Sequence, residues 1–529
     1  MEWTRRWRDE IWVELDRHWD LIIIGGGITG AGILRQAAHA GLRALLVEGD
    51  DFASGTSSRS SKLVHGGLRY LKNAQVKVTL ESVREREYLL KQGRGLVNRL
   101  GFLYSCLQGD RMPGWMFGAA LAVYDLMAGQ WSHHSYDAED MRELCPILTA
   151  PGLRGGYRFF DASTDDARLV LRLLRESVSD GVLALNYARV ESLLRTQDGR
   201  VCGVVICDTS GETGRWREVF ARVVINATGA WADELREKHG RSPRLRPLRG
   251  SHLVLPFERL PLTRAVSFMH PRDGRPVFAL PWQGAVIFGT TDVDHGPVLQ
   301  IDPSISTAEA EYLLDGLQFV FPGQELTFED VIATYSGLRP VVNTGKANPS
   351  KESREHAIWD ENGLLTVSGG KLTTFRIIAR DALKAARRHI GRIPFDREVP
   401  VLSPLPSQAE SLLAGSSMGP AEGLRLLSRY GLESAGFFNT VSPCDLEPVP
   451  GTPYLFAELR QAARAEGVVH LPDLLLRRLR LGLLVPCGGA DLLPRIRPIV
   501  QQELGWDDAR WDEEAARYVE LWNRAYRIK

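Results

Sequence analysis

No uninterrupted apolar run in the chain reaches the roughly 18 residues that a spanning helix needs, so no transmembrane helix is expected. Cysteine is scarce. Cys106, Cys145, Cys202, Cys207, Cys444 and Cys487 stand without a C-x-x-C pair or any zinc-like spacing. No metal site is expected, and the thiols read as the reduced, mostly buried side chains of a cytosolic protein. Net charge is missing too: 65 Lys and Arg against 65 Asp and Glu leave no general field for nucleic acid or an anionic bilayer. Contact of that kind would need a local patch. The opening stretch "MEWTRRWRDEIWVELDRHW" has two adjacent arginines but no apolar core behind them, so neither a Sec nor a Tat signal is expected. A cytoplasmic protein without a nucleic-acid partner is expected, with any membrane contact peripheral and on the cytoplasmic face.

What is present is ordinary globular material, 44% hydrophobic and 25% charged. At 529 residues it is too long for one core and should form two or three domains. "DLIIIGGGITGAGILRQAAHAGLRALLVEGD" has the rhythm of a βαβ unit: Leu21 to Ile24 a buried strand, Ala31 to Ala40 a helix, Arg43 to Val47 a second strand. Gly25, Gly27 and Gly30 fill the three places of G-x-G-x-x-G, and Glu48 closes the second strand about 20 residues on. Gly25 permits the tight turn, Gly27 lets backbone approach a pyrophosphate, and Gly30 lets helix pack on strand. The helix N-terminus offers N–H groups to phosphate, and Glu48 can accept from a ribose diol. This combination predicts a dinucleotide site.

"GTSSRSSKLVHGGLRYL", residues 55 to 71, then breaks the rhythm with four serines, a threonine, two arginines, a lysine and a histidine. It holds too few apolar residues for a core element. A polar loop of this length can run along a cofactor larger than NAD, so FAD is the better fit. Downstream, "ARVVINATGAWADEL" is a buried strand entering Ala227, Thr228 and Gly229, a turn like the second nucleotide-contacting segment of two-dinucleotide-fold flavoproteins. Taken alone, it is equally any strand-to-helix turn.

"IIIGGGITGAGI", "TSSRSSKLVHGGLRYL", "DDARLVL", "NATGAW", "GSHLVLP", "IFGTTDVD", "TYSGLRPV" and "SGGKLTTFR" occur in that order between about residues 20 and 385. Together they resemble FAD-dependent sn-glycerol-3-phosphate dehydrogenase, within the wider class similar to D-amino-acid oxidase. The C-terminal third is similar only through "LPDLLLRRLRLGLL". The resemblance implies an α/β fold: a two-dinucleotide-binding, Rossmann-like FAD domain, an antiparallel β-sheet substrate domain, and a helical C-terminal domain. The expected division is 18–80, 160–245 and 330–395 for FAD, 81–159 and 246–329 for the substrate-binding cap, and 396–529 for the helices. "SHLVLP", "PVFALPW" and "GAVIFGTTDVD", separated by turn residues, suit an antiparallel meander. After the proline-rich Pro400 to Pro406 the pattern turns helical.

The reaction implied is oxidation of sn-glycerol 3-phosphate at C2 to dihydroxyacetone phosphate, with hydride passing to flavin N5 and electrons onward to a quinone. The cofactor carries the redox chemistry; the protein positions a phosphate and manages one proton. Carried over by motif, Gly25, Gly27, Gly30, Glu48, Thr56, Ser57, Ser61, Lys62, Val64, Ala227, Gly229, Gly369 and Gly370 would contact FAD. Gly66 and Gly67 would let backbone pass close to the flavin. His65 is the preferred proton acceptor, since imidazole titrates near neutral pH. Arg339 matches an active-site arginine; a guanidinium cannot give up its proton, so its role is to steady a developing alkoxide or grip substrate. Arg69, Tyr70, Arg354 and Lys371 complete the substrate set, the cations suiting phosphate. Arg249 stands where some relatives have lysine.

Two other readings stay open: a glycerol-3-phosphate oxidase that uses oxygen, and an amino-acid or amine oxidase in which "GLRP" binds a carboxylate. The absence of a long extra insertion favours the dehydrogenase. Oligomeric state stays open, a homodimer among the options. In "DLLLRRLRLGLLV", Leu475, Leu476, Leu479 and Leu483 form a helical stripe with Arg477, Arg478 and Arg480 on the remaining surface. Such a stripe either packs inside a bundle or lies on an anionic bilayer.

Overall fold

The computed structural model describes residues 3–68, 75–110, 112–211, 213–296, 298–345, 352, 355–394, 399–407, 411 and 418–528. Trp19–Ile24 and Ala44–Val47 form parallel strands around the helix Ile28–His39. Their branched side chains suit a sheet covered on both faces, and Ile22, Ile23, Leu45 and Leu46 are fully buried. The sheet runs His356–Glu361, Leu364–Gly369, Trp216–Asn226, Trp19–Ile24, Ala44–Val47, Leu183–Leu185. Along this path the first pair is antiparallel and the others are parallel, and Val201–Asp208 and Ala188–Arg195 extend the sheet from Trp216–Asn226 as antiparallel strands. The helix Ile28–His39 lies between Phe375–Ile390 and Asp166–Ser179. Gly32 permits the first contact, since a Cβ there would come 2.8 Å from the Phe375 ring.

A parallel sheet puts its carboxyl ends along one edge, where open α/β sheets bind ligands. Ile24, Val47, Asn226 and Gly369 end there, and Gly25, Glu48, Ala227 and Gly370 follow them.

Among the described residues the second sheet has ten strands and is antiparallel except where Ala265–Met269 meets Val97–Leu107. Its spine is Leu245–Pro256, Ala285–Gly289 and Pro276–Trp282; the last two pair as the expected meander, but Leu245–Pro256 skips Pro276–Trp282 and pairs with Ala285–Gly289. Leu63–Val64 and Ala333–Val342, placed by the expected division with the FAD segments, hydrogen-bond into this sheet instead. The chain therefore crosses between layers within the motifs that carry His65 and Arg339. Periodicity cannot show this, because both strands are as buried as those of the parallel sheet.

Beyond residue 418 the helices Pro420–Tyr430, Phe456–Ala465, Leu493–Leu504 and Asp508–Ala525 dominate. "DLLLRRLRLGLLV" is not one amphipathic helix: a wide helical turn, Leu474–Arg478, breaks at extended Leu479 before Leu481–Leu484. Leu475, Leu476, Leu479 and Leu483 are buried, as a bundle requires. The expectation for the arginines is corrected: Arg477, Arg478 and Arg480 are buried too, paired with Asp51, Asp473, Asp165 and Asp166. This segment cannot lie on a bilayer. No helix among the described residues is long and apolar enough to cross a membrane.

Candidate active site

A cavity of about 1490 Å³ opens along the carboxyl edge of the parallel sheet and continues under the second sheet. That exceeds the roughly 300–1,000 Å³ of a drug-sized ligand site. One end is a glycine cradle. Gly25 has φ +110°, and a Cβ there would come 2.6 Å from the Ala227 carbonyl, so the two nucleotide-type turns touch through bare backbone. A Cβ on Gly30 would collide with the Gly25 carbonyl oxygen, and one on Gly27 would come 3.1 Å from Ser57 Oγ. Ser57 Oγ accepts from the Ile28 N–H at 2.9 Å, which ties the polar loop to the helix N-terminus.

Glu48 follows the second strand. Its carboxylate accepts from the Gly26 N–H at 2.6 Å and the Asp50 N–H at 2.9 Å. Burial, reinforced by neighbouring Asp50, pushes its pKa up to about 7. A cradle of open glycine backbone, a diol acceptor and a long channel fit FAD.

At the other end, His65 is fastened by its backbone: its N–H donates to Thr373 Oγ1 at 3.1 Å, and that hydroxyl donates to its carbonyl at 3.2 Å. The next N–H, of Gly66, donates to Asp161 at 3.0 Å. Arg339 is aimed by fixed acceptors, Asp292 Oδ1 at 2.7 Å, Thr290 Oγ1 at 2.9 Å and the Thr291 carbonyl at 3.2 Å. Lys371 sits in the turn between Leu364–Gly369 and Phe375–Ile390, after Gly369 and Gly370 at φ +79° and +73°. Burial pushes its ammonium down to about 7.

Gly25, Gly27, Glu48, Thr56, Ser57, Ser61, His65, Ala227, Gly229, Arg339, Gly369, Gly370 and Lys371 all line this cavity. Gly30, Lys62 and Val64 do not. Gly30 acts by close packing, and Val64 is a core strand residue. Lys62 points away: its ammonium donates to both Asp166 oxygens at 2.9 Å and faces the Tyr335 ring at 4.8 Å. Arg69, Tyr70 and Arg354 lie outside the described residues. Arg249 pairs with Glu309 at 2.6 Å.

The sequence reading missed His252, Asp292, Thr290, Arg275 and Trp231, all of which line the cavity. His252 Nε2 hydrogen-bonds Ser61 Oγ at 2.8 Å and its ring stacks on Tyr335 at 4.6 Å. Burial, then the charges of Arg339 and Lys62, hold its pKa well below the usual imidazole value. The motifs "GSH" and "GTTD" were the available signals.

Comparison with known proteins agrees with this geometry. The family described as FAD dependent oxidoreductase matches residues 20–393, and the C-terminal domain of alpha-glycerophosphate oxidase matches 401–511. This is a flavoprotein oxidoreductase, and FAD is its cofactor. The chain is 36% identical over 520 residues to glycerol-3-phosphate dehydrogenase 2 of Mycobacterium tuberculosis (strain ATCC 25618 / H37Rv), covering 94% of this chain and 87% of that protein. It is 37% identical over 387 residues to aerobic glycerol-3-phosphate dehydrogenase of Bacillus subtilis (strain 168), covering 72% and 69%. The crystal structure of glycerol-3-phosphate dehydrogenase from Bacillus halodurans complexed with FAD superposes with TM-score 0.80 at 27% identity, over 99% of this chain and 98% of that one. The chain belongs to the family of FAD-dependent glycerol-3-phosphate dehydrogenases.

Proposed function

We propose that the protein oxidises sn-glycerol 3-phosphate at C2 to dihydroxyacetone phosphate and delivers the electrons to a quinone. The observation that carries the substrate is the placement of Arg339 and Lys371 in the same cavity as the glycine cradle. Bound FAD supplies the hydride acceptor. The Gly25–Gly27 turn and Ser57 would take the pyrophosphate, and Glu48 a ribose diol. Lys371 would hold the phosphate as a point charge, and a dianion beside it would favour the protonated ammonium. His65 would take the C2 hydroxyl proton, its position set by Thr373. Arg339, aimed by Asp292 and Thr290, would steady the developing alkoxide. Arg69, Tyr70 and Arg354 stay assigned to substrate on the family resemblance.

The quinone reading is supported by the helix Gly114–Ala128. Its only charged residue is Asp125, yet Trp115 and Leu126 are 70% and 80% exposed, and nearby Trp131 is 71% exposed. Met116, Phe117, Ala120 and Val123 of the same helix line the cavity. An apolar acceptor arriving from a bilayer would thus meet one apolar surface from lipid to flavin. Membrane contact is assigned to this helix, on the cytoplasmic face. The test is steady-state turnover of the FAD-loaded protein with glycerol 3-phosphate and either a quinone analogue or oxygen. Faster turnover with the quinone supports the reading; equal or faster reduction of oxygen makes the protein an oxidase.

A further inference from the structure

Three arginines of the C-terminal segment, singled out by their pattern and absent from the chemistry above, reach the two loops that face the cofactor. The first loop follows Glu48. Glu48, Asp50 and Ser54 line the cavity, while Asp51 between them is fully buried and turned away. Asp51 accepts from Arg477 Nε and from both terminal nitrogens of Arg478, one at 2.8 Å, and from Asn186 Nδ2 at 3.1 Å. Burial alone would raise its pKa, but Arg478 and Arg477 hold it below the usual carboxylate value. Arg477 also holds Asp473 at 2.6 Å, Asp473 accepts from Tyr187 Oη at 2.6 Å, and the Tyr187 N–H donates to the Asp50 carbonyl at 2.8 Å.

The second loop is gripped the same way. Ser57, Arg59, Ser60 and Ser61 line the cavity, and the carbonyl of Ser58 among them accepts from Arg480 at 3.2 Å and from Lys62 Nζ at 2.5 Å. Arg480 also meets Asp165 at 3.1 Å and Asp166, and Asp166 takes the Ser60 N–H at 3.0 Å and hydroxyl at 2.7 Å.

We propose that Arg477, Arg478 and Arg480 are positioning residues for FAD: the C-terminal domain holds the 48–54 and 56–62 loops in their binding geometry. Each grip falls on a residue next to cavity-lining ones, on backbone with little regular structure of its own. Loops ordered before the cofactor arrives do not charge their ordering entropy to binding. The cofactor site is therefore completed by residues more than 400 positions downstream of its glycine turn.

The test measures the FAD Kd of the full-length, deflavinated protein by flavin fluorescence, beside the Tm of the same apoprotein. Asp51→Asn, Arg478→Gln and Arg478→Lys are compared with Arg425→Gln. The control loosens another C-terminal pair, Arg425–Glu458, that touches neither loop. Asp51→Asn and Arg478→Gln should raise the Kd about tenfold or more, Arg478→Lys less, and Arg425→Gln not at all, even at an equal loss of Tm. Unchanged Kd in folded Asp51→Asn would overturn the proposal. So would a loss in Arg425→Gln that matches the others, which would mark general destabilisation. Should Arg478→Gln fail to fold, Asp51→Asn and Arg478→Lys decide between these results.

Discussion

At Lys371, burial brings the ammonium pKa down to about 7, and only the charged form holds a phosphate dianion. The group is protonated below that value and neutral above it, whereas phosphate is already a dianion above its own second pKa of about 6. Substrate KM should therefore rise with pH above about 7. In Lys371→Arg, always charged, that rise should flatten, and a parallel profile in both proteins would count against the assignment. His65→Ala should lower kcat by about 10² to 10⁴ with a smaller effect on KM; an unchanged pH profile and turnover would remove it as the base. Asp292→Asn should lower kcat about tenfold by releasing Arg339, at roughly 1.4 kcal/mol, and leave FAD binding intact. Thirteen of the residues assigned from sequence line the cavity, because their motifs combine residue type with strand ends. Lys62, assigned to FAD because a lysine among serines resembles a phosphate ligand, meets Asp166 instead of lining the cavity, and that partner is 104 positions away in sequence. His252 was missed because nothing local shows that its strand crosses the chamber.

Among the elements, the Trp19–Ile24, Ile28–His39 and Ala44–Val47 unit was legible because apolar runs of strand length flank a glycine turn. Gly27→Val would drive side-chain atoms toward Ser57 and into the path assigned to pyrophosphate. Purified Gly27→Val should lack flavin absorbance, and full absorbance would contradict that path. The Gly114–Ala128 helix was not singled out from sequence, since an apolar helix with one acid reads as core; only its position leaves Trp115 and Leu126 outside. Replacing Trp115, Leu126 and Trp131 with serine should reduce sedimentation with anionic liposomes and lower turnover with a quinone analogue, while turnover with a water-soluble dye persists. Equal loss with both acceptors would mean that the helix supports the fold rather than a membrane. The leucine stripe left bundle packing and bilayer contact both open, and the structure buries it. Burial of its arginines was not legible, because apart from Asp473 the carboxylates they meet come from residues 51, 165 and 166.

Over the whole molecule, a parallel sheet supplies the strand ends, an antiparallel sheet roofs the chamber, and the helical domain braces the loops between them. The hydrophobic patterns agree with the three layers that the family resemblance implied, but they do not show where the chain passes from one to another. Leu63–Val64 and Ala333–Val342 join the second sheet from within nucleotide-type motifs, and that crossing brings His65 and Arg339 over one chamber. Substrate identity is decided by what reduces the flavin. The direct measurement is anaerobic titration of the FAD-loaded protein, following the visible flavin band. Glycerol 3-phosphate should bleach it stoichiometrically, while glycine, proline and other amino acids leave it unchanged. Bleaching by an amino acid, or a flavin left oxidised by glycerol 3-phosphate, would contradict the account.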